Sequence, residues 1–219
     1  MAKPQVVSDR DFEHMLKATV AYSRVPTRDK ALLLTLYGTA LGVTELACLT
    51  VADYLNADGT VREKSRVREE VAHNGVPRPL YWTNHRVCDA LDEYLAWRKS
   101  NKQGVTVKHG AYRALDPASA IFLTEAGSAY GLTEKALPSG AVSYSCNALG
   151  AYISRLHAHA GIEGGSAQSA RRTFATKLYR RGYDYRHLAE ILGVQSVTTV
   201  KRLVEADPVD LIGIVAGAV

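Results

Sequence analysis

Two adjacent arginines, Arg171 and Arg172, have the clearest chemical potential in this chain, and they begin the segment RRTFATKLYRRGYDYRHLAEILGVQSVTTVKRL. A guanidinium presents its N–H donors in a rigid plane and can bind a phosphate through two parallel, charge-assisted hydrogen bonds. The pair therefore predicts contact with phosphate groups. A second interpretation of Arg171 stays open, in which it is a solvated residue at a helix start, where its positive charge opposes the helix dipole.

The excess positive charge of the chain lies in this same segment. Residues 171–202 contain eight basic and two acidic residues and carry a net charge of +6, whereas the rest of the chain carries −1. A basic segment on an otherwise balanced chain indicates nucleic-acid binding, although solvated helix faces carry similar runs. A second basic group recurs at every second position, as on one face of a strand, and consists of Arg62, Lys64, Arg66 and Arg68.

Several short motifs surround these arginines: QSARRTFAT at residues 168–176, LGV at 192–194, and Leu203 on the helix that follows. They resemble the tyrosine recombinase, or phage integrase, family, whose members carry H-x-x-R-H-T-F-A-T, then L-G-H, and then a nucleophilic tyrosine. Residues 32–55 resemble the first arginine motif of the family, T-G-L-R-x-S-E-L. Residues 71–80 align with the β-hairpin that carries the family's lysine.

The resemblance implies an active site that has lost its chemistry. A tyrosine recombinase attacks a phosphodiester with a phenolate oxygen, while cationic groups neutralise the charge that builds on the phosphate. Leucine has no oxygen, so a residue such as Leu203 cannot form a covalent link with DNA. Of the six groups that define the family's site only Arg171 is retained, and the other places hold Gly42, Val71, Gln168, Val194 and Leu203. We therefore expect no catalytic residue and no cleavage.

The partner that the resemblance implies is double-stranded DNA. A protein that binds DNA without cutting it would act as a transcriptional regulator or as an accessory to an active recombinase. The alternatives are an active recombinase with a displaced nucleophile such as Thr198 or Thr199, a helix-turn-helix regulator built on residues 187–203, and a scaffold that contacts only protein. The predicted DNA-binding residues are Arg171, Arg172, Lys177, Lys201, Arg202, Arg66 and Arg68.

The predicted fold is mainly α with a small antiparallel β-sheet, similar to the catalytic domain of tyrosine recombinases. One such domain is expected over residues 1–219, without the core-binding domain that family members carry ahead of it, so that fewer phosphates would be contacted. Strands are predicted within residues 60–81, around the turn His73-Asn-Gly75. Caps and periodicity predict helices at residues 11–23, 28–39, 85–100, 143–160, 171–181, 184–192 and 196–205, and one from Thr44 towards Asp53. Ser8 or Asp9 is the expected cap of the first of them, and Gly193 is expected to close the helix that begins at Asp184.

The tail at residues 208–219 is apolar and too short to cross a membrane. It is expected either to dock on a neighbouring protomer, giving homo-oligomers, or to fold back on its own core. Cys48, Cys88 and Cys146 show no metal-binding spacing and are expected to be reduced thiols. No cofactor, metal or membrane partner is expected, and the predicted location is the cytoplasm, in association with the nucleoid.

Overall fold

The computed structural model describes residues 4–72, 75–108, 110–136 and 142–204. These ranges form a mainly helical protein, as predicted, with two separate two-stranded antiparallel sheets where one was expected. The helices are α1 (Asp9–Tyr22), α2 (Pro26–Thr39), α3 (Val43–Ala47), α4 (Val51–Tyr54), α5 (His85–Ser100), α6 (Asn147–His159), α7 (Ala167–Arg180), α8 (Tyr185–Leu192) and α9 (Val197–Val204). The strands are β1 (Lys64–Val67), β2 (Arg78–Tyr81), β3 (Thr133–Ala136) and β4 (Val142–Ser145).

Helix α2 is the centre of the core. Its residues 31–37 are all buried, because α1, α5 and α7 pack around it and leave no side for solvent. Helix α1 is amphipathic by contrast and buries Phe12, Met15 and Leu16 on one face. The hydroxyl of Ser8 accepts a hydrogen bond from the amide of Asp11 and caps α1, as the sequence predicts.

The single helix predicted from Thr44 towards Asp53 is wrong, because this region forms the two short helices α3 and α4. In each helix, the third residue has a carboxylate that accepts a hydrogen bond from the backbone N–H of the residue immediately before the helix. Glu45 does so for Gly42 at 2.7 Å, and Asp53 does so for Thr50 at 2.8 Å. Each bond satisfies a donor at a helix start, so that Gly42, and not Thr44, precedes the first of the two helices.

Strands β1 and β2 form the predicted hairpin, in which Val67 pairs with Arg78 and Lys64 pairs with Tyr81. Residues 73–74 of the predicted turn lie outside the described ranges. Alternation along β2 turns Arg78 and Leu80 towards the interior. The prediction that Arg62, Lys64, Arg66 and Arg68 share one face of a strand is only partly right, because β1 spans residues 64–67 alone. Lys64 and Arg66 lie on this strand and are exposed.

The second hairpin, β3 and β4, corrects another prediction. Residues from Ser143 onwards were expected to be helical, but Val142–Ser145 pairs with Thr133–Ala136, and α6 begins only at Asn147. The sequence of β4 is VSYS, in which valine and tyrosine favour strands and no residue is a strong helix former. Cross-strand pairing therefore outweighs the helical periodicity of the residues that follow.

The C-terminal helices follow the predicted order, but α7 begins earlier in the chain than predicted. Helix α7 begins at Ala167, so that Arg171 lies in its second turn. The interpretation of Arg171 as a solvated residue at a helix start is therefore wrong. Helix α8 has the predicted ends, because Asp184 accepts the amides of its first turn and Gly193 closes it in the left-handed conformation at φ 63°.

His157 links α6 to α2 and makes the stability of the fold dependent on pH. Its Nδ1 lies 2.8 Å from the carbonyl oxygen of Ile153, which only accepts, so that Nδ1 donates there and Nε2, 2.8 Å away from the Tyr37 oxygen, accepts from that hydroxyl. This arrangement needs the neutral imidazole. Burial also lowers the pKa of His157.

We expect the free energy of unfolding to fall as the pH drops below about 6.5. In that range His157 binds a proton in the unfolded chain but stays neutral in the native protein. Proton binding by the unfolded state favours unfolding. Urea unfolding of the wild type and of His157→Gln at pH 7.5 and pH 5.5 measures this. The glutamine variant should lose less stability between the two pH values, and an equal loss in both proteins would contradict the assignment.

Candidate nucleic-acid interface

Two arginines and a glutamate, all buried, meet beneath the C-terminal ends of α2 and α8. Arg171 comes from α7, Arg78 from β2 and Glu45 from α3, and their exposed fractions are 7%, 2% and 4%. We call these three residues the buried arginine cluster. Charged side chains are rarely buried to this extent unless they are paired.

The two guanidinium groups bind the last carbonyl groups of two helices. Arg171 donates from Nη1 to the carbonyl of Ala40 at 3.0 Å and from Nη2 to that of Leu192. Arg78 donates to Ala40 at 3.2 Å and to the carbonyls of Thr39 and Ile191 at 3.3 and 2.9 Å. Carbonyl groups at a helix C-terminus lack intrahelical donors and carry partial negative charge, so both cations are matched by helix ends.

Glu45 supplies the only full negative charge within the cluster. Its carboxylate lies 3.1 Å from Nη2 of Arg78 and also accepts the amide of Gly42. One carboxylate against two guanidiniums leaves a net positive charge in a buried place. Desolvation, together with the charge of Arg78, lowers the pKa of Arg171 to about 10. Arg171 therefore remains charged at neutral pH.

The structure brings four of the six catalytic positions of the resembled family together around Ala40. Gly42 lies two residues beyond Ala40, and Arg171 donates to the Ala40 carbonyl. Val194 and Leu203 pack against a small apolar cluster made of Ala40, Ala175, Leu192 and Val204. These four predicted positions are thus grouped in space, but their side chains contribute one guanidinium and no acid, base or nucleophile.

The other two catalytic positions lie apart from that apolar cluster. Gln168 is exposed in the first turn of α7, and Val71 is half-buried against the main core. Neither carries an ionisable group that could assist a reaction at a phosphate.

Arg78 is the residue of this region that sequence analysis missed. A signal for it existed, because Arg78 and Leu80 share one face of β2 and Leu80 is apolar. Its neighbour across the cluster is Gly193, where an added Cβ would lie 2.6 Å from Cδ of Arg78. The absence of a side chain at Gly193 therefore gives Arg78 the space that it occupies.

Contacts within the protein involve several of the predicted DNA-binding residues, among them Arg171, Arg172, Lys177 and Arg68. Beside Arg171, Arg172 is 6% exposed and donates to the carbonyl groups of Leu203, at 3.0 Å, and Pro4. Lys177 pairs with Asp9 and thereby lowers the pKa of that carboxyl group.

Arg68 is the fourth. It donates to the carbonyl of Cys48 at 2.8 Å and lies 3.8 Å from Asp53 and 3.5 Å from Glu70. Its side chain remains 41% exposed, so these surface ion pairs contribute little to stability and can open.

The remaining predicted residues are exposed, and three further arginines join them. These residues lie on β1, on the last turn of α7 and the turn after it, on α8 and on α9. The elements are neighbours, because β2, α7 and α9 all pack against α8. We call this group the exposed basic surface; it consists of Arg66, Arg180, Arg181, Arg186, Lys201 and Arg202. Sequence alone did not separate these residues from their buried neighbours, because both kinds occur in one basic run.

The hairpin and α8 enclose a cleft of about 260 Å³ between them. Lys64 and Arg66 line it from β1, and Glu190 lines it from α8. Arg66 is thereby placed next to the C-terminal helices that carry the rest of the exposed basic surface.

Other kinds of site find little support in the described part of the chain. No three His, Cys, Asp or Glu side chains there are grouped so that they could hold a metal ion. Burial raises the pKa of Cys48, Cys88 and Cys146, which are free thiols. No helix within those ranges is long and apolar enough to span a bilayer. The apolar tail at residues 208–219 lies outside them.

Comparison with known proteins agrees with this geometry. A sequence profile of the phage integrase family matches residues 5–208. The chain is 25% identical over 198 residues to the tyrosine recombinase XerC of Halalkalibacterium halodurans, and the match covers 90% of this chain and 56% of that protein. The chain thus spans little more than half the length of this relative.

Solved structures share the fold. The XerA recombinase superposes with a TM-score of 0.68 at 21% identity over 99% of this chain and 65% of its own. XerH bound to its palindromic difH substrate gives 0.66 at 20% identity, over 97% and 52% of the two chains. The Tn1549 transposon integrase in complex with a circular intermediate DNA gives 0.64 at 17% identity, over 93% and 62%.

Proposed function

Because this chain belongs to the phage integrase family, we propose that it binds double-stranded DNA without cutting it, as a regulator of transcription or as an accessory to an active recombinase. The observation that carries the proposal is the buried arginine cluster. Arg171, the one retained member of the family's catalytic set, uses both terminal nitrogens on backbone carbonyls and is 93% buried, since only 7% of it is exposed.

The same cluster argues against cleavage. A phosphate that replaced the carbonyls of Ala40 and Leu192 as the partner of Arg171 would leave two helix ends without their donors. Residue 203 is a leucine, which has no oxygen in its side chain, and its backbone carbonyl accepts a hydrogen bond from Arg172. Neither the phosphate site nor the nucleophile of a recombinase is therefore available.

DNA binding is supported by the exposed basic surface. Its six cations lie on neighbouring elements, and each phosphate that they neutralise adds to affinity without any need for catalysis. The fold is shared with recombinases whose structures contain DNA, such as XerH with difH. Helix α9 also exposes Thr198 and Thr199, which extends the surface available to a duplex.

Cleavage is tested with nicked duplexes that trap a covalent intermediate. We expect no SDS-resistant complex between this protein and DNA, since residue 203 is a leucine and both terminal nitrogens of Arg171 bind backbone carbonyls. An active family member serves as the positive control. A covalent adduct that forms with the wild type but not with Thr198→Ala or Thr199→Ala would instead establish the displaced-nucleophile alternative.

Binding is tested by charge reversal on the exposed basic surface. Arg202→Glu and Arg66→Glu should each weaken binding to fragments selected from genomic DNA by roughly tenfold, and the salt dependence of log K should become shallower by about 1 for each lost phosphate contact. Lys17→Glu, an exposed change on α1, is the control for net charge. Arg171→Glu is unsuitable, because it would bury a carboxylate against carbonyl oxygens.

If all three charge reversals weaken binding equally, non-specific attraction explains the result and the proposed surface is wrong. Selection of a defined site by the wild type would identify the regulated locus. Binding that requires only α8 and α9 would favour the helix-turn-helix alternative, and no DNA binding would favour a protein scaffold.

We also propose that the apolar tail at residues 208–219 links protomers on DNA. Burial of its apolar side chains against a second copy would remove them from water. Light scattering of the full chain and of a variant that lacks residues 209–219 tests this. A monomer in both cases, with unchanged stability, contradicts the assembly.

A further inference from the structure

A solvent-open cavity of about 450 Å³ lies at the opposite end of α2 from the buried arginine cluster. Its walls come from the end of α1, from the connection that precedes α2, and from α6. The cluster binds the C-terminal end of α2, and α2 has 14 residues, which corresponds to a separation of roughly 20 Å. The cavity is therefore separate from the site described above.

We propose that this cavity binds a small aromatic anion, a planar ring that carries a phosphate or a carboxylate. The proposal does not depend on DNA binding. A volume of this size lies within the range of about 300–1,000 Å³ that is usual for small-molecule sites.

Cationic side chains line the cavity on two sides. Arg24 projects from the connection between α1 and α2, and Arg155 projects from α6. The one carboxylate of the lining, Glu125, lies 3.3 Å from Arg24, but the two side chains are 45% and 85% exposed. An exposed ion pair of this kind is weak, so that an incoming anion can compete for Arg24.

Aromatic rings form another part of the wall. Tyr22 is 73% exposed although it is a large side chain, and its ring lies edge-on to that of His159 with the centroids 6.4 Å apart. Exposed rings that border a cavity offer faces on which a planar ligand can stack. The guanidinium of Arg155 is held nearby, 5.2 Å from the centre of the Tyr152 ring.

A buried hydroxyl in the lining lacks a partner. Thr19 is 3% exposed, and its Oγ1 has no hydrogen-bond partner among the described residues. Buried polar atoms are nearly always paired, with protein, water or ligand. Because this oxygen is closed to solvent, the Thr19 side chain must rotate before it can bind a polar group of the bound molecule.

The base of the cavity is already rigid. The hydroxyl of Tyr152 contacts both Arg28 and Asp29, and Asp29 also accepts from Ser23. Arg28 and Asp29 are buried and paired with each other at 2.7 Å, so that this carboxylate is neutralised and does not repel an anion. Preorganisation of this kind reduces the ordering that binding requires.

Calorimetric titration of the whole protein tests the proposal, with adenosine 5′-monophosphate and 4-hydroxybenzoate as probes of the two anionic groups. At least one should bind with a Kd on the order of 1 mM or tighter. Adenosine and inorganic phosphate, which supply the ring and the anion separately, should each bind at least about tenfold more weakly. Arg155→Gln and Tyr22→Ser should each weaken the bound probe by roughly tenfold.

Lys99→Gln, an exposed change on α5, is the matched control and should leave probe binding unchanged. Conversely, Arg155→Gln should leave DNA binding unchanged, so that failure of this proposal and failure of the DNA-binding proposal can be told apart. The proposal is overturned if neither probe binds at 10 mM, or if binding survives both cavity variants.

Discussion

Replacement of Arg78 by methionine is expected to lower the free energy of unfolding by about 3–5 kcal/mol, because it removes the guanidinium that lies 3.1 Å from the buried carboxylate of Glu45. The carbonyl groups of Thr39 and Ile191 lose their donor as well. For a chain of this size, the loss corresponds to a fall in Tm on the order of 10 °C. Urea and thermal unfolding followed by circular dichroism measure both quantities.

A matched control lies one register step away on the same hairpin. Arg66→Met removes an exposed arginine and should change stability by no more than about 0.5 kcal/mol. The double variant Arg78→Met with Glu45→Gln should recover part of the loss, since the amide oxygen still accepts from Gly42 and the buried carboxylate is removed together with its guanidinium partner. A double variant as unstable as the sum of the two single changes would show that Arg78 and Glu45 are not coupled.

Gly193→Ala is expected to produce the second large effect, a loss of about 2–4 kcal/mol. Part of it is backbone strain, because Gly193 has φ +63° and an L-residue in that region costs roughly 1–2 kcal/mol. The rest comes from the new methyl group, whose Cβ would lie 2.6 Å from Cδ of Arg78 and 3.1 Å from its Cβ.

Gly182→Ala separates these two contributions. Gly182 also has a positive φ, +89°, but a Cβ there would meet no atom within 4 Å. It should therefore show the strain alone. We expect Gly193→Ala to be the more destabilising change by about 1–3 kcal/mol in denaturant unfolding, and the difference should shrink in an Arg78→Ala background. Equal losses at the two glycines would mean that Arg78 moves aside freely.

Together these variants test whether the buried arginine cluster is a structural unit. Hydrogen bonds from Arg171 and Arg78 connect α7 and the β-hairpin to the C-terminal ends of α2 and α8. In the resembled family, the corresponding region binds the scissile phosphate through arginines. Here Arg78 comes from β2 and donates to backbone carbonyls, among them that of Ala40, two residues before Gly42, and to Glu45.

Much of the fold follows from local sequence signals. Ser8, Asp184 and Gly193 determine the ends of α1 and α8 where caps predict them, because capping depends on one or two neighbouring amides. The periodic stripe of Val87, Leu91 and related residues likewise predicts α5 with its observed bounds. The strand β4 was missed because its stability comes from pairing with β3, a contact that residue order does not display.

The sequence by itself determined the family and the residue types at the positions that we predict to be catalytic in that family, because both depend on residue identity. Gly42, Val194 and Leu203 lack the functional groups of a recombinase in any conformation. Only the tertiary structure decided which arginines face solvent. Arg171 and Arg172 are buried while Arg180 and Arg181, in the same basic run, are exposed, since burial depends on which helix ends and carbonyl groups the fold brings against each side chain.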